Sequence, residues 1–126
     1  MYLIDTHAYL WFLIDDPRLP VRVKDIMQRE NDLFISIASF WEMAIKMNIG
    51  KLTLPASIPK LIADCKELQI DVLQISPQHL DCISRMPDFH GDPFDRLILS
   101  QAMVEHMTLL SADEKFGRYE VRTLWR

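Results

Sequence analysis

The sequence predicts an α/β protein built on a parallel sheet that is covered on both faces. Three observations carry that expectation. Short apolar runs alternate with helix-length segments along the 126 residues. The apolar runs show little in–out alternation, so both of their faces need cover. Seven prolines and three glycines punctuate the chain, with no repeat, low-complexity tract or linker. The length and a hydrophobic fraction of 49% suit one domain, residues 1–126, with a substantial core.

Each element has a local reason. YLI, residues 2–4, reads as a short buried strand. THAYLWFLI carries a helix-length apolar pattern, ended by Asp15, Asp16 and Pro17. Pro20 opens VRVKDIMQRE, a helix that ends in charge. LFISIA, residues 33–38, is a β-branched run after Asn31 and Asp32, hence a second strand. Ser39 then begins SFWEMAIKMNI, and Gly50 stops it as a glycine beyond a C-cap does. Ser57 starts another helix that runs to about Leu68. DVLQI, residues 71–75, is a third strand, and PQHLDCISRM a short helix. Pro93 suits the first helical position of PFDRLILSQAMVEHM. TLLSA, residues 108–112, is a fourth strand, and YEVRTLW offers a fifth.

Composition excludes several classes of function. A net charge of −4 argues against a protein that coats nucleic acid by bulk charge. It argues less against an enzyme that gathers carboxylates around a cation. Cys65 and Cys82 form no CxxC pair, so neither a zinc site nor a disulfide framework is expected, and a reducing interior fits. Asp5 and His7 interrupt any leader-like start, and no apolar run reaches the roughly 18–20 residues of a membrane span. A cytoplasmic protein is expected. Gly50, Gly91 and Gly117 are scattered and make no nucleotide-binding loop.

The acids carry the chemistry. In a parallel sheet, ligands bind beyond the C-terminal ends of the strands. Asp5 follows the first strand and Asp113 follows the fourth. Glu42 is expected in the first turn of the helix after LFISIA, and Asp95 in the first turn after the His90–Gly91 loop. Four acids from distant parts of the chain thereby reach one rim. Their repulsion calls for a cation. Carboxylate oxygens are the hard ligands that Mg²⁺ or Mn²⁺ prefers. Each acid also has a reading as a cap. Asp5 could cap the helix that begins at Thr6, and Ser39 with Glu42 matches a capping box. Asp92, just before Pro93, suits an N-cap, which puts Asp95 where a carboxylate favours the helix dipole. Asp113 could sit in a solvated turn.

LIDTHAYLW, SFWEMAIKMNIGKL, HGDPFDRLILSQA and LLSADEKF occur in that order. In order and spacing they resemble the blocks of PIN-domain proteins, most closely the VapC-like toxins of bacterial type II toxin–antitoxin systems. The resemblance covers Tyr2 to Trp125. It implies a three-layer α/β/α sandwich with a central parallel sheet. It implies a metal-dependent endoribonuclease, usually dimeric, held inactive by a cognate antitoxin. Matched motif by motif, it makes Asp5, Glu42, Asp95 and Asp113 the catalytic, metal-holding acids, with Mg²⁺ or Mn²⁺ as the ion. Asp92 is then a cap with a supporting role open to it, and Ser111 either supports the site by hydrogen bonding or is a strand-end hydroxyl satisfied by backbone. A phosphodiesterase or DNA nuclease of the same fold is an alternative. So is a non-catalytic acidic module that docks a basic partner.

Other residues keep two readings. Thr6 reads as a helix cap beside the site. Arg96 can hold a phosphate or make a structural ion pair. Lys46, Lys51, Lys115 and Arg118 can line an RNA backbone track or be plain surface charge. His7 and His90 fall near the rim without a zinc-ligand pattern, and His79 and His106 read as surface residues. Trp11, Phe12, Phe40 and Trp41 read as core or partner surface rather than base-stacking platforms.

Overall fold

The computed structural model describes residues 1–87 and 91–126. Five parallel strands form one sheet in the order β3-β2-β1-β4-β5. The strands are β1 (Tyr2–Ile4), β2 (Leu33–Ser36), β3 (Ile70–Leu73), β4 (Thr108–Leu110) and β5 (Thr123–Leu124). Six helices connect them: α1 (Thr6–Leu13), α2 (Val21–Arg29), α3 (Ile37–Asn48), α4 (Ile58–Glu67), α5 (Pro77–Arg85) and α6 (Pro93–Glu105). A 3₁₀ turn, Glu114–Arg118, lies between β4 and β5. None of the described helices is long and apolar enough to cross a membrane.

Alternation along each strand divides the core in two, because neighbouring side chains point to opposite faces. Ile4, Leu33, Ile35 and Leu110 pack against α1, α2, α3 and α4 through Tyr9, Val23, Met43 and Leu61. Leu3 and Leu109 face the other way, toward Leu97, Ile98 and Ala102 of α6 and Phe116 of the 3₁₀ turn. The three layers follow. Apolar residues occupy both strand faces because both are sealed. Truncating a fully buried residue such as Leu3 or Leu109 to Ala costs about 2–5 kcal/mol.

Side-chain caps set the helix starts. Asp5 caps α1, Ser57 caps α4 and Ser76 caps α5. Asp92 caps α6, its Oδ1 accepting from the N–H groups of Phe94 and Asp95 at 2.8 and 3.0 Å. Pro93 fills the first turn of α6, where its missing N–H has no cost. Gly50 follows α3 at φ 76°, a left-handed conformation that a Cβ would strain.

Some boundaries differ from the sequence expectation. β2 stops at Ser36, and Ile37 and Ala38 already belong to α3. Ser36 caps α3 by accepting from the Ala38 N–H at 3.0 Å. Ser39 is therefore not a cap, the Ser39–Glu42 capping box does not form, and Glu42 lies in the second turn. β-branched residues next to a good N-cap misled the period reading, since Ile serves either state when buried. The third strand begins one residue before and ends two residues before its expected bounds, at Ile70–Leu73. Thr6 is the first residue of α1 and not its cap. The buried ring of His79 contradicts its surface assignment: its Nδ1 accepts from the Ser76 N–H at 3.0 Å and closes a capping box. His106 is exposed and ends α6 at φ 55°.

Candidate active site

Strand register builds the rim. Ile4 aligns with Ile35 on one side and Leu110 on the other, and Leu110 aligns with Leu124. The residues one step further, Asp5, Ser36, Ser111 and Trp125, therefore share the C-terminal edge of the sheet. β1 leads by helices to β2 on one side, while β4 lies on its other side. The point where strand order reverses is where an open parallel sheet leaves a crevice. Asp5 and Ser111 stand at that point.

A cleft of ≈ 380 Å³ opens there, lined by Asp5, Glu42, Asp92, Asp95 and Asp113 among others. All four expected site acids thus face one space, joined by Asp92. Lys46 and His7 also line it, and Trp11 and Trp125 form an aromatic wall. Five carboxylates against one lysine ammonium leave the cleft a cation receptor.

Hydrogen bonds hold the acids in place. Asp5 is 8% exposed. Its Oδ1 accepts from the Thr6 N–H at 2.8 Å and its Oδ2 from the Ser111 hydroxyl at 2.7 Å. Ser111 Oγ in turn accepts from the Asp113 N–H at 3.1 Å, which ties the last acid to the first. The Thr6 hydroxyl donates to Ser39 Oγ at 2.8 Å and so locks α1 to α3. Glu42, also buried, accepts from Lys46 Nζ at 2.9 Å. Asp113 Oδ1 accepts from the Lys115 N–H at 2.9 Å.

Burial pushes the Asp5 carboxyl above its ordinary range. The Ser111 hydrogen bond, the His7 charge and the Thr6 N–H pull it down, and Glu42 repels it upward. Among the described residues, no three His, Cys, Asp or Glu side chains are gathered closely enough to make a ready ion cage. The bonds above account for much of that spacing: Glu42 is turned to Lys46, and Asp92 and Asp113 to backbone N–H groups. The donors still fit a hard divalent cation, because they are carboxylate oxygens and burial of Asp5 disfavours its charged form unless a positive group stands beside it.

Other expectations sort themselves by position. Arg96 is half-buried on α6 and is not among the described residues lining the cleft. Lys51 and Lys115 are exposed, and Arg118 borders a separate cavity with Cys82 and Met86. Only Lys46, of the four basic candidates, lines the acidic cleft. Phe40 is buried core, whereas Trp41 is 55% exposed and meets Phe94 edge-on at 4.8 Å. Trp11 packs on the core and also reaches the cleft. The rim expectation for His90 lies outside the described residues. Trp125, expected only as the end of a fifth strand, also lines the cleft, because β5 stops at Leu124.

A family model for the PIN domain matches residues 2–121. The chain belongs to the PIN domain family. This PIN domain is 23% identical over 114 residues to "Ribonuclease VapC22" of Mycobacterium tuberculosis, covering 90% of this chain and 87% of the relative. Its fold is similar to a chain of VapBC2 from Rickettsia felis, solved bound to a DNA fragment from their promoter. That likeness has a TM-score of 0.73 and 16% identity, covering 99% of this chain and 98% of the other. A chain of FitAcB from Neisseria gonorrhoeae is similar at a TM-score of 0.69 and 14% identity, covering 98% and 96%. The three-layer α/β/α sandwich expected from the sequence is thus the PIN fold.

Proposed function

We propose that this PIN domain is a metal-dependent endoribonuclease and the toxin of a type II toxin–antitoxin pair. The observation that carries the reading is the convergence of Asp5, Glu42, Asp95 and Asp113 on one cleft at the sheet's C-terminal edge. The likeness to a ribonuclease and to VapBC2 supports it. Asp5, Glu42, Asp95 and Asp113 would hold Mg²⁺ or Mn²⁺. A divalent ion bound there supplies Lewis acidity, lowering the pKa of water and polarising a phosphoryl oxygen. The protein's part is positional. Ser111 and the Thr6 N–H aim the Asp5 carboxylate, and Asp92 fixes the start of the helix that carries Asp95. Lys46 sets a positive charge beside Glu42, where it balances that carboxylate in the ion-free protein.

The partners follow from the same cleft. RNA is the substrate. Lys46 on Glu42 shows that a cationic side chain fits among these acids, so an Arg of a cognate antitoxin can fork onto them and compete with the ion. A homodimer is the proposed assembly. The test is purified protein with RNA and Mg²⁺ or Mn²⁺, followed by mapping of the cleaved ends. Cleavage should need the ion, stop with chelator and be lost in Asp5→Asn. Co-expression with the neighbouring reading frame should give a stable, inactive complex. Ion-independent cleavage, or full cleavage by Asp5→Asn, would overturn the proposal. An acidic docking module without catalysis would show no ion-specific rise in melting temperature.

A further inference from the structure

The acids account for cutting a phosphodiester but not for how a base beside the cut is held. The aromatic wall bears on that. Trp125 lines the acidic cleft and also a second cleft of ≈ 570 Å³ that reaches Arg126. The two clefts share Ala112, Asp113 and Trp125. The indole therefore stands on the ridge between them, next to one of the proposed site acids.

The ring is held rather than loose. Its Cα position is set by β5, whose Leu124 aligns with Leu110. The Ser111 N–H also donates to Leu124 O at 3.3 Å. Trp125 leans on Trp11, with centroids 5.8 Å apart and planes at 54°. Trp11 is braced from elsewhere by the Arg18 guanidinium, 4.7 Å from its ring centroid. Asp16 holds that guanidinium through Nε and Nη2. Both rings are half-buried against the same core, Trp11 is further braced by Arg18, and β5 is the edge strand of the sheet.

A fixed indole beside a cleaving cleft suits one ligand group above others. Every nucleobase offers a π-face, and stacking on a rigid ring orders little else. A duplex keeps its bases stacked on each other and cannot present one without unstacking. Lys46, paired with Glu42, lines the acidic cleft, and Arg126 lines the second beside Asp113 and Glu114, so each side of the ridge has one basic residue among its acids. We infer that Trp125, beside Trp11, is a stacking subsite for one base flanking the cut. The inference rests on the ribonuclease reading and deepens it.

The test uses the full chain, Mg²⁺ and a single-stranded RNA whose cut has been mapped. Copies carry one abasic ribose at each position flanking the cut. One position should raise KM about tenfold with kcat little changed, the size that loss of one stacked base gives. Trp125→Leu should raise KM for the intact RNA and lose that positional sensitivity, while Trp125→Phe keeps it. Binding of the RNA in chelator, where no cleavage occurs, should quench tryptophan emission, and the abasic copy should quench less. That binding measurement decides the matter on wild-type protein if the Leu variant does not fold. A flat abasic scan, or a Trp125→Leu protein that keeps the positional penalty, overturns the subsite. A flat scan combined with weaker partner binding by Trp125→Leu assigns the ring to a protein interface and also overturns it. Absence of any cleavage with Mg²⁺ or Mn²⁺ sinks the ribonuclease reading instead, and the quenching experiment still reports on the ridge.

Discussion

Two buried polar clusters, one between α5 and α6 and one at the C-terminal edge of the sheet, are built on different terms. Under α5 and α6 lies His79, 1% exposed. Its Nδ1 accepts from the Ser76 N–H, so its proton is on Nε2, which faces Glu105 Oε1 at 3.4 Å. Gln101 Nε2 donates to Gln74 O at 3.3 Å beside it. This cluster closes a capping box and stitches two helices, with one acid and one imidazole. At the sheet edge, Asp5 and Glu42 are also buried, but they are like charges on a cleft with three more acids. Burial of polar groups is common to both. Concentration of one sign of charge against an opening belongs to the second alone, and that is the mark of a binding site rather than a joint.

The largest expected effects break the comparison at the rim. Asp5→Asn, Glu42→Gln, Asp95→Asn and Asp113→Asn should each lower kcat/KM by more than about 100-fold, beyond what loss of a supporting residue around an ion costs. Melting curves should show folded proteins. Asp5→Asn should even melt higher than wild type in chelator at neutral pH. The sign follows from burial. A carboxyl raised above its unfolded pKa costs stability once pH exceeds the unfolded value, and the full cost is reached above the folded one. The gap between wild type and Asp5→Asn should therefore widen as pH rises through the folded pKa and close in acid. A wild type that gains stability from Asp5 over that range would contradict this.

At the other cluster the effect should fall on stability. His79→Ala removes a cap and a buried ring and should cost about 2–3 kcal/mol by urea unfolding. Its kcat/KM, measured well below the melting range, should stay near wild type. A selective loss of activity would show that the two clusters are coupled.

Lys46→Gln sharpens the rim further. Lys46 is 41% exposed, so solvent screens the pair and the ion-free protein should lose less than about 1 kcal/mol. The rise in melting temperature on adding Mg²⁺ should grow, because the ion then replaces a missing counter-charge on Glu42. An unchanged or smaller rise would place the ion away from Glu42. The smallest effect is expected at Asp92→Asn, since Asn caps a helix about as well as Asp. Activity should fall far less than in Asp95→Asn, and the reverse order in turnover assays would exchange their roles.

Much of this was legible before any coordinates. Apolar runs such as YLI and TLLSA can be buried only between two layers, and their ends placed Asp5 and Asp113 on one edge. Asp92 and Pro93 announced the start of α6 through cap chemistry alone. What escaped depended on long-range placement. Ile37 and Ala38 suit a strand or a buried helical turn, and only packing against the sheet decides between them. His79 looks like one polar residue on a short polar helix, because its burial is imposed by α6, which follows later in the chain. Trp125 sits 12 residues after Asp113, a separation with no local meaning until β5 pairs with β4.

The pairing of β1 with β4 has a consequence for the moment of synthesis. Asp5 is translated 106 residues before its Ser111 partner. The edge strand β5, which Trp125 follows, comes later still. A nascent chain halted before β4 can form α1 and α2 but has no closed rim, because the middle of the sheet has no neighbour on one side. Assembly of the acids thus waits for the last fifth of these residues. Strand order alone thus leaves an unfinished chain without its complete acidic rim.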